Sequence, residues 1–339
     1  MKYNHNDLIT AKNNLNGLLS LAFHHTSQAQ SVVVYDTHCK LSTILSQAYH
    51  LSLPNAIMID FNAHAPEEIL RIFETLHPND LVVLVQSTSF RLNAFRMRVE
   101  LFKRKLKVIE HPHLSRMADN EVSIYIDSLH YDRDYYHHVG HTLKSKIDAA
   151  SCGVLDSGGE YLIYNTPFEP AKLNIGDYTD MVNTGGQFPL GEVFTEAREL
   201  TSLNGRVKIF SFGDVTYKLN YPATPITLIV HEGKVVGCEN STPAFDQILF
   251  NIQRDEEVVW VRELGFGLNR AFDKVRTVGD TGTFERMAGV HLSLGAKHGI
   301  YGKAGFKRRD GMYHVDVFAD TQTFSLDDEV IYQNGAWTV

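Results

Sequence analysis

The chain has 339 residues, 43% of them hydrophobic, and carries 32 Lys plus Arg against 40 Asp plus Glu, a formal net charge of -8. That is enough apolar material for one large or two medium cores, and the acidic balance argues against nucleic acid as the main partner, because phosphate binding needs a cationic face. Three scattered cysteines, Cys39, Cys152 and Cys238, form no CxxC pair, which argues against a disulfide framework or a thiolate zinc site and suits a reducing cytosol.

In chain order, Leu8, Leu15, Leu18, Leu19 and Leu21 give residues 7–24 an apolar stripe that predicts a helix. Ser31–Tyr35 (SVVVY), Ala56–Asp60 (AIMID), Asp80–Gln86 (DLVVLVQ) and Leu106–Glu110 read as short buried strands. Helices are predicted between them at Leu41–Tyr49, Pro66–Leu76 and Leu92–Lys105. The seven cations between Arg91 and Lys107 read as the wet face of the last of these. Strand and helix alternating at this spacing imply parallel pairing, so residues 1–128 are expected to form an α/β open-sheet domain. It contains no GxGxxG or GxxxxGK[ST], so nothing marks a nucleotide site.

Tyr131–Ala150 reads as a connecting helix, after which the texture changes. Strand patterns dominate, punctuated by turn signals at Ser157-Gly158-Gly159, Asn204-Gly205, Glu232-Gly233, Asp310-Gly311 and Asn334-Gly335. Ile226–Cys238 and Glu329–Val339 read as hairpins, and Pro243–Gln253 as a helix. Residues 129–339 are therefore expected to be an α+β, mostly β domain. The N-terminal MKYNHNDLIT lacks the pattern of a signal peptide. No apolar stretch approaches the length of a membrane span. The expectation is a cytoplasmic chain without membrane or nucleic-acid partners.

Four segments carry candidate chemistry. In Tyr313-His314-Val315-Asp316-Val317 the strand period of two puts His314 and Asp316 side by side. In Val290-His291-Leu292-Ser293-Leu294, His291 shares a face with Ser293, opposite an apolar one. Glu263 ends an apolar strand that runs into Leu264-Gly265-Phe266-Gly267, and a carboxylate there needs a cation, a proton or several donors. Arg262 points the other way. Glu192 lies among hydrophobic residues in Phe188-Pro189-Leu190-Gly191-Glu192-Val193-Phe194-Thr195. Oxygen and nitrogen donors without thiolate suit Zn, Mn, Co or Fe(II), and a bridging carboxylate can hold two ions together.

The order Gly-Glu-Val-Phe-Thr, Glu-Leu-Gly-Phe-Gly-Leu-Asn, a glutamate followed by His-Leu-Ser-Leu-Gly, then His-x-Asp resembles the aminopeptidase T and aminopeptidase S group, the thermophilic metalloproteases. Glu110-His111-Pro112-His113-Leu114-Ser115 and the closing Asn334-Gly335 hairpin extend the resemblance over most of the chain. It implies a two-part fold, a homodimer and peptide hydrolysis from the N-terminus by a water activated between two divalent ions (Zn, Co or Mn). It implies Glu192, Glu263, His291, His314 and Asp316 as ligands and Glu285 as the catalytic glutamate. Where the family carries a tyrosine seven residues after the first histidine, this chain has His298. There it could donate to the oxyanion or act as an extra ligand. A divergent relative on the same scaffold, 2,5-dihydroxypyridine dioxygenase, implies the alternative. In it one Fe(II), held by His314, Asp316 and His291 or His298, opens an aromatic ring of a small-molecule substrate. That relative has a histidine at the place of Glu263, and the carboxylate retained here favours the peptidase reading.

Overall fold

The computed structural model describes residues 4–92, 95–303 and 311–339, with the side chains of residues 95 and 96 also outside the description. The chain divides into two compact units: residues 1–134, 176–190 and 277–279 form one, and 135–175, 191–276 and 280–339 the other.

The first unit is built on a five-stranded parallel sheet. Its strand order is Gly185–Gln187, Lys107–His111, Leu81–Val85, Ser31–Tyr35, Ile57–Asp60. Val32, Val34, Val82, Leu84 and Val108 pack with Ile69, Phe73 and Leu101 in its apolar core, as expected of β-branched runs buried on both faces. The edge strand Gly185–Gln187 comes from a returning segment that the alternation pattern does not reveal.

Helices occupy His5–Leu21, Lys40–Ser52, Pro66–Glu74, Met97–Lys103 and Val122–Ser128. The helix expected at Leu92–Lys105 is shorter. Arg91–Leu92 pairs with Phe95–Arg96 as a small hairpin, and the helix starts only at Met97. Its cations are engaged at home, Arg98 with Glu110 at 2.9 Å and Lys103 and Arg104 with Glu100. His111 ends its strand fully buried, with Nε2 2.8 Å from the Tyr49 hydroxyl and Nδ1 2.9 Å from that of Tyr125. Desolvation holds it neutral, its pKa lowered to about 3.

The second unit is a curled antiparallel sheet. Its central strands run Leu203–Gly213, Val315–Ala319, Gly289–Leu294, Val261–Gly267, Glu192–Glu196 and Lys172–Asn174 in spatial order. On the other side of Leu203–Gly213 follow Tyr161–Tyr164, Gly153–Asp156, Thr323–Leu326, Glu329–Gln333 and Ala336–Trp337. The hairpins close where Glu232-Gly233 and Asn334-Gly335 adopt the left-handed conformation at both central residues, the turn that matches strand twist. Asn204-Gly205 is no turn: it lies inside Leu203–Gly213. There Gly205 (φ 125°) lets the Tyr161 carbonyl approach closer than any Cβ would allow. The expected turn at Asp310-Gly311 falls partly outside the described residues. Among the described residues no helix is long and apolar enough to cross a membrane.

Candidate metal centre

Four adjacent strands of the second unit bring the candidate residues together. Register pairs Glu192 with Gly267, Gly265 with His291, His291 with Phe318, and Ser293 with Asp316. Every residue of Val261–Gly267, Gly289–Leu294 and Val315–Ala319 is buried. The polar side chains therefore sit in an enclosed place rather than on a wet face.

Glycine makes the room. A Cβ on Gly265 would lie closer than 3.0 Å to His291 Cε1 and Nε2, so that edge of the imidazole lies against the bare backbone of the neighbouring strand. A Cβ on Gly267 would strike the Met287 carbonyl. The bare backbone thus lets the segment after Phe284 run alongside, with bridges from Gly267 to Ala288 and from Asn269 to Met287. That approach brings in Arg286, which pairs with Glu285 and lies 3.3 Å from Glu192 Oε2.

Ligating atoms of Glu192, Glu263 and His291 all lie within 4.8 Å of one another. His291 Nε2 is 3.4 Å from Glu192 Oε1 and 3.6 Å from Glu263 Oε1. Tetrahedral bonds of ~2.1 Å have ligand-to-ligand edges of about 3.4 Å, so this spacing suits one small divalent ion. Glu263 Oε2 faces the other way, 3.2 Å from His298 Nε2. His314 Nε2 is 3.0 Å from Asp316 Oδ1.

Whether these residues fit a metal can be judged from the polar atoms they leave over. His291 Nε2, His298 Nε2 and Asp316 Oδ1 are buried without a hydrogen-bond partner, although each has an opposite charge within reach. Buried polar atoms are rarely left so; His291 Nε2, inside the Glu192–Glu263–His291 group, and Asp316 Oδ1 are free to meet a cation. Charge agrees: Glu192 and Glu285 pair with Arg286, whereas Glu263 and Asp316 face histidines, which offset a carboxylate only when protonated.

Protonated imidazoles meet part of this charge. Desolvation alone would lower the His291 pKa, but Glu192 and Glu263 override it and push it up to about 9. His314 is likewise desolvated, yet Asp316 and Glu263 raise it to about 10. Glu263 is desolvated too, yet His291 and His298 hold its carboxyl well below the usual range. His314 also acts on Glu263 and Asp316 on His291, so the two halves share one field.

The histidines differ in tautomer, as inferred from their partners. His314 Nδ1 is 3.1 Å from the Lys297 carbonyl, to which it can only donate. Its Nε2 lone pair is thereby free for a metal whenever the ring is neutral. His298 Nδ1 instead accepts from the backbone N–H of Ile300 at 3.2 Å and of Tyr301 at 3.5 Å. Its proton therefore sits on Nε2, aimed at Glu263, which makes the ring a donor rather than a ligand. This choice between two roles for His298 lay beyond sequence reasoning, as did Arg286.

Arg262 is 2% exposed and pairs with the fully buried Glu196. Lys303, 3.8 Å from Glu196 Oε2 and paired with Glu169, completes a balanced ion cluster beneath the strand. The only sequence signal for it is a charge alternating with Glu263 in an apolar run.

No protein-family model matches the sequence, and no curated protein matches it. Among solved structures, the chain is similar to wild-type AmpT from Thermus thermophilus, with a TM-score of 0.60 at 11% identity, over 98% of this chain and 99% of that one. At that identity the likeness shows a shared fold over nearly the whole of both chains.

Proposed function

We propose that this chain is a metal-dependent aminopeptidase-like hydrolase that removes N-terminal residues from peptides. The observation that carries the reading is Glu263, whose two carboxylate oxygens serve two sides of one buried site, with His291 and Glu192 on one side and His298 on the other. Glu192, Glu263, His291, His314 and Asp316 would hold one or two divalent ions, with Zn, Co and Mn suited to these donors. Such ions, when bound, acidify a water and polarise a carbonyl.

The chain's own residues would do the rest. Glu285 would accept the proton of the attacking water and pass it to the leaving amine. Arg286, paired with both Glu285 and Glu192, ties the proposed base to a proposed metal ligand. The Nε2–H of His298 would donate to the oxygen that gains charge, the place the resemblance gives to a tyrosine. The homodimer and the cytoplasmic setting belong to the same proposal, the first testable by light scattering.

The test is elemental analysis of protein purified without chelator, followed by release of N-terminal residues from short peptides after reconstitution with Zn, Co or Mn. Metal-dependent release supports the proposal. One iron per chain with oxygen consumption on hydroxylated aromatic rings, and no peptide cleavage, would overturn it.

A further inference from the structure

Arg262 is the neighbour of Glu263 in the strand, and alternation turns it away from the centre. Its guanidinium engages a carboxylate and two backbone carbonyls. Nε pairs with Glu196, Nη1 donates to the Ala296 carbonyl at 2.7 Å, and Nη2 donates to the Tyr301 carbonyl at 3.2 Å. Those carbonyls are the two feet of the arch 296–301. Within the arch the Lys297 carbonyl receives the Nδ1–H of His314, and His298 directs Nε2 at Glu263.

The arch is tied down elsewhere as well. The Ala296 N–H donates to Glu256 Oε2 at 2.7 Å. The Tyr301 hydroxyl donates to the Pro170 carbonyl at 2.8 Å. These ties hold one foot each, whereas Arg262 bridges both.

We propose that Arg262 is the positioning residue of the centre: by spanning Ala296 and Tyr301 it fixes the arch that orients His298 toward Glu263 and sets the tautomer of His314. The planar fork suits the task, because its donors diverge at fixed angles and stay charged, which a lysine cannot reproduce. Glu196 makes the arrangement tolerable, since a fully buried guanidinium without a counter-charge would be strongly destabilising. The strand thus presents Glu263 on one face and the support for Glu263's partners on the other. The inference rests on the metal-centre reading for its probe, Zn2+ alone, but its structural half can be read in the metal-free protein.

The experiment compares wild type, R262K and the double variant R262M/E196L, which removes both buried charges together and keeps the test available if R262K does not fold. Amide exchange in the metal-free proteins should accelerate at least about tenfold in residues 295–301, with the flanking strands unchanged. Zn2+ affinity by chelator competition should weaken about 10- to 100-fold, the range for losing the outer support of a ligand. H298Q should weaken Zn2+ binding in the wild type, by freeing Glu263 from its partner, and should have no further effect in either background. Exchange that rises evenly through the unit, or an H298Q effect of equal size in all backgrounds, would show Arg262 to be an ordinary core ion pair and overturn the proposal. Wild type that binds no Zn2+ would sink the metal reading instead, while the exchange comparison still decides the role of Arg262.

Discussion

Replacing Gly265 by alanine separates the metal centre from the fold more cleanly than removing a ligand does. The new Cβ would come closer than 3.0 Å to His291 Cε1 and Nε2, the coordinating edge of the ring. Carbon and nitrogen prefer about 3.5–4.0 Å, so the imidazole must retreat by at least about 0.5 Å. A metal–nitrogen bond tolerates only ~0.2 Å, and His291 cannot rotate away freely because it is 1% exposed and packs on Phe318 at 5.9 Å between ring centroids. Divalent-ion affinity in G265A should therefore fall about 100-fold or more, approaching that of H291A. The backbone argues the opposite way for stability: alanine in a strand interior is favoured over glycine by roughly 0.5–1 kcal/mol, which offsets part of the crowding. The assays are Zn2+ competition with a chromophoric chelator and thermal unfolding with chelator present. Wild-type affinity in G265A would refute the claim that the ring lies against this glycine to reach a cation.

Other outcomes follow from the same geometry. His291 and His314 titrate near 9 and 10 in the metal-free fold against about 6.5 unfolded. Stability from their ion pairs is thus fully present below pH ~6.5 and lost as pH rises through those values. Unfolding midpoints of the metal-free protein should drop between pH 7 and 10, and a flat profile would contradict the assignment. Zn2+ binding at neutral pH should release protons, seen as a calorimetric heat that varies with the buffer's ionisation enthalpy; a buffer-independent heat would count against it. E285Q should abolish peptide turnover while leaving Zn2+ affinity within about threefold, whereas equal losses of both would make Glu285 a ligand. H111L strands the Tyr49 hydroxyl and should cost about 1–3 kcal/mol in denaturant unfolding without touching Zn2+ affinity.

The alternation of SVVVY, AIMID and DLVVLVQ with amphipathic stretches was enough to read the parallel sheet, although Ile57–Asp60, expected as a buried strand, lies at the sheet edge with Ile57 exposed. The Gly185–Gln187 edge strand was not legible, since three residues carry no period and their pairing with Lys107–His111 is non-local. Asn204-Gly205 misled because the same dipeptide serves turns and close strand approach, and only the Tyr161 carbonyl distinguishes them. Glu192, Glu263 and His291 stood out as charge or imidazole in apolar runs. Arg286 and the Arg262–Glu196 pair did not, because their roles depend on partners brought close only by the sheet. The tautomer of His298 depends on two backbone amides of its own loop, which no side-chain pattern encodes.

In the proposed centre, Glu192, Glu263 and His291 share a cation none of them would hold alone. Metal content per chain after native purification and desalting, measured side by side for wild type, E192Q and H291A, tests it most directly. At least one divalent ion per wild-type chain, with little or none in the two folded variants, is the expected result. Equal metal content in all three, or none in any after incubation with Zn2+, would contradict it.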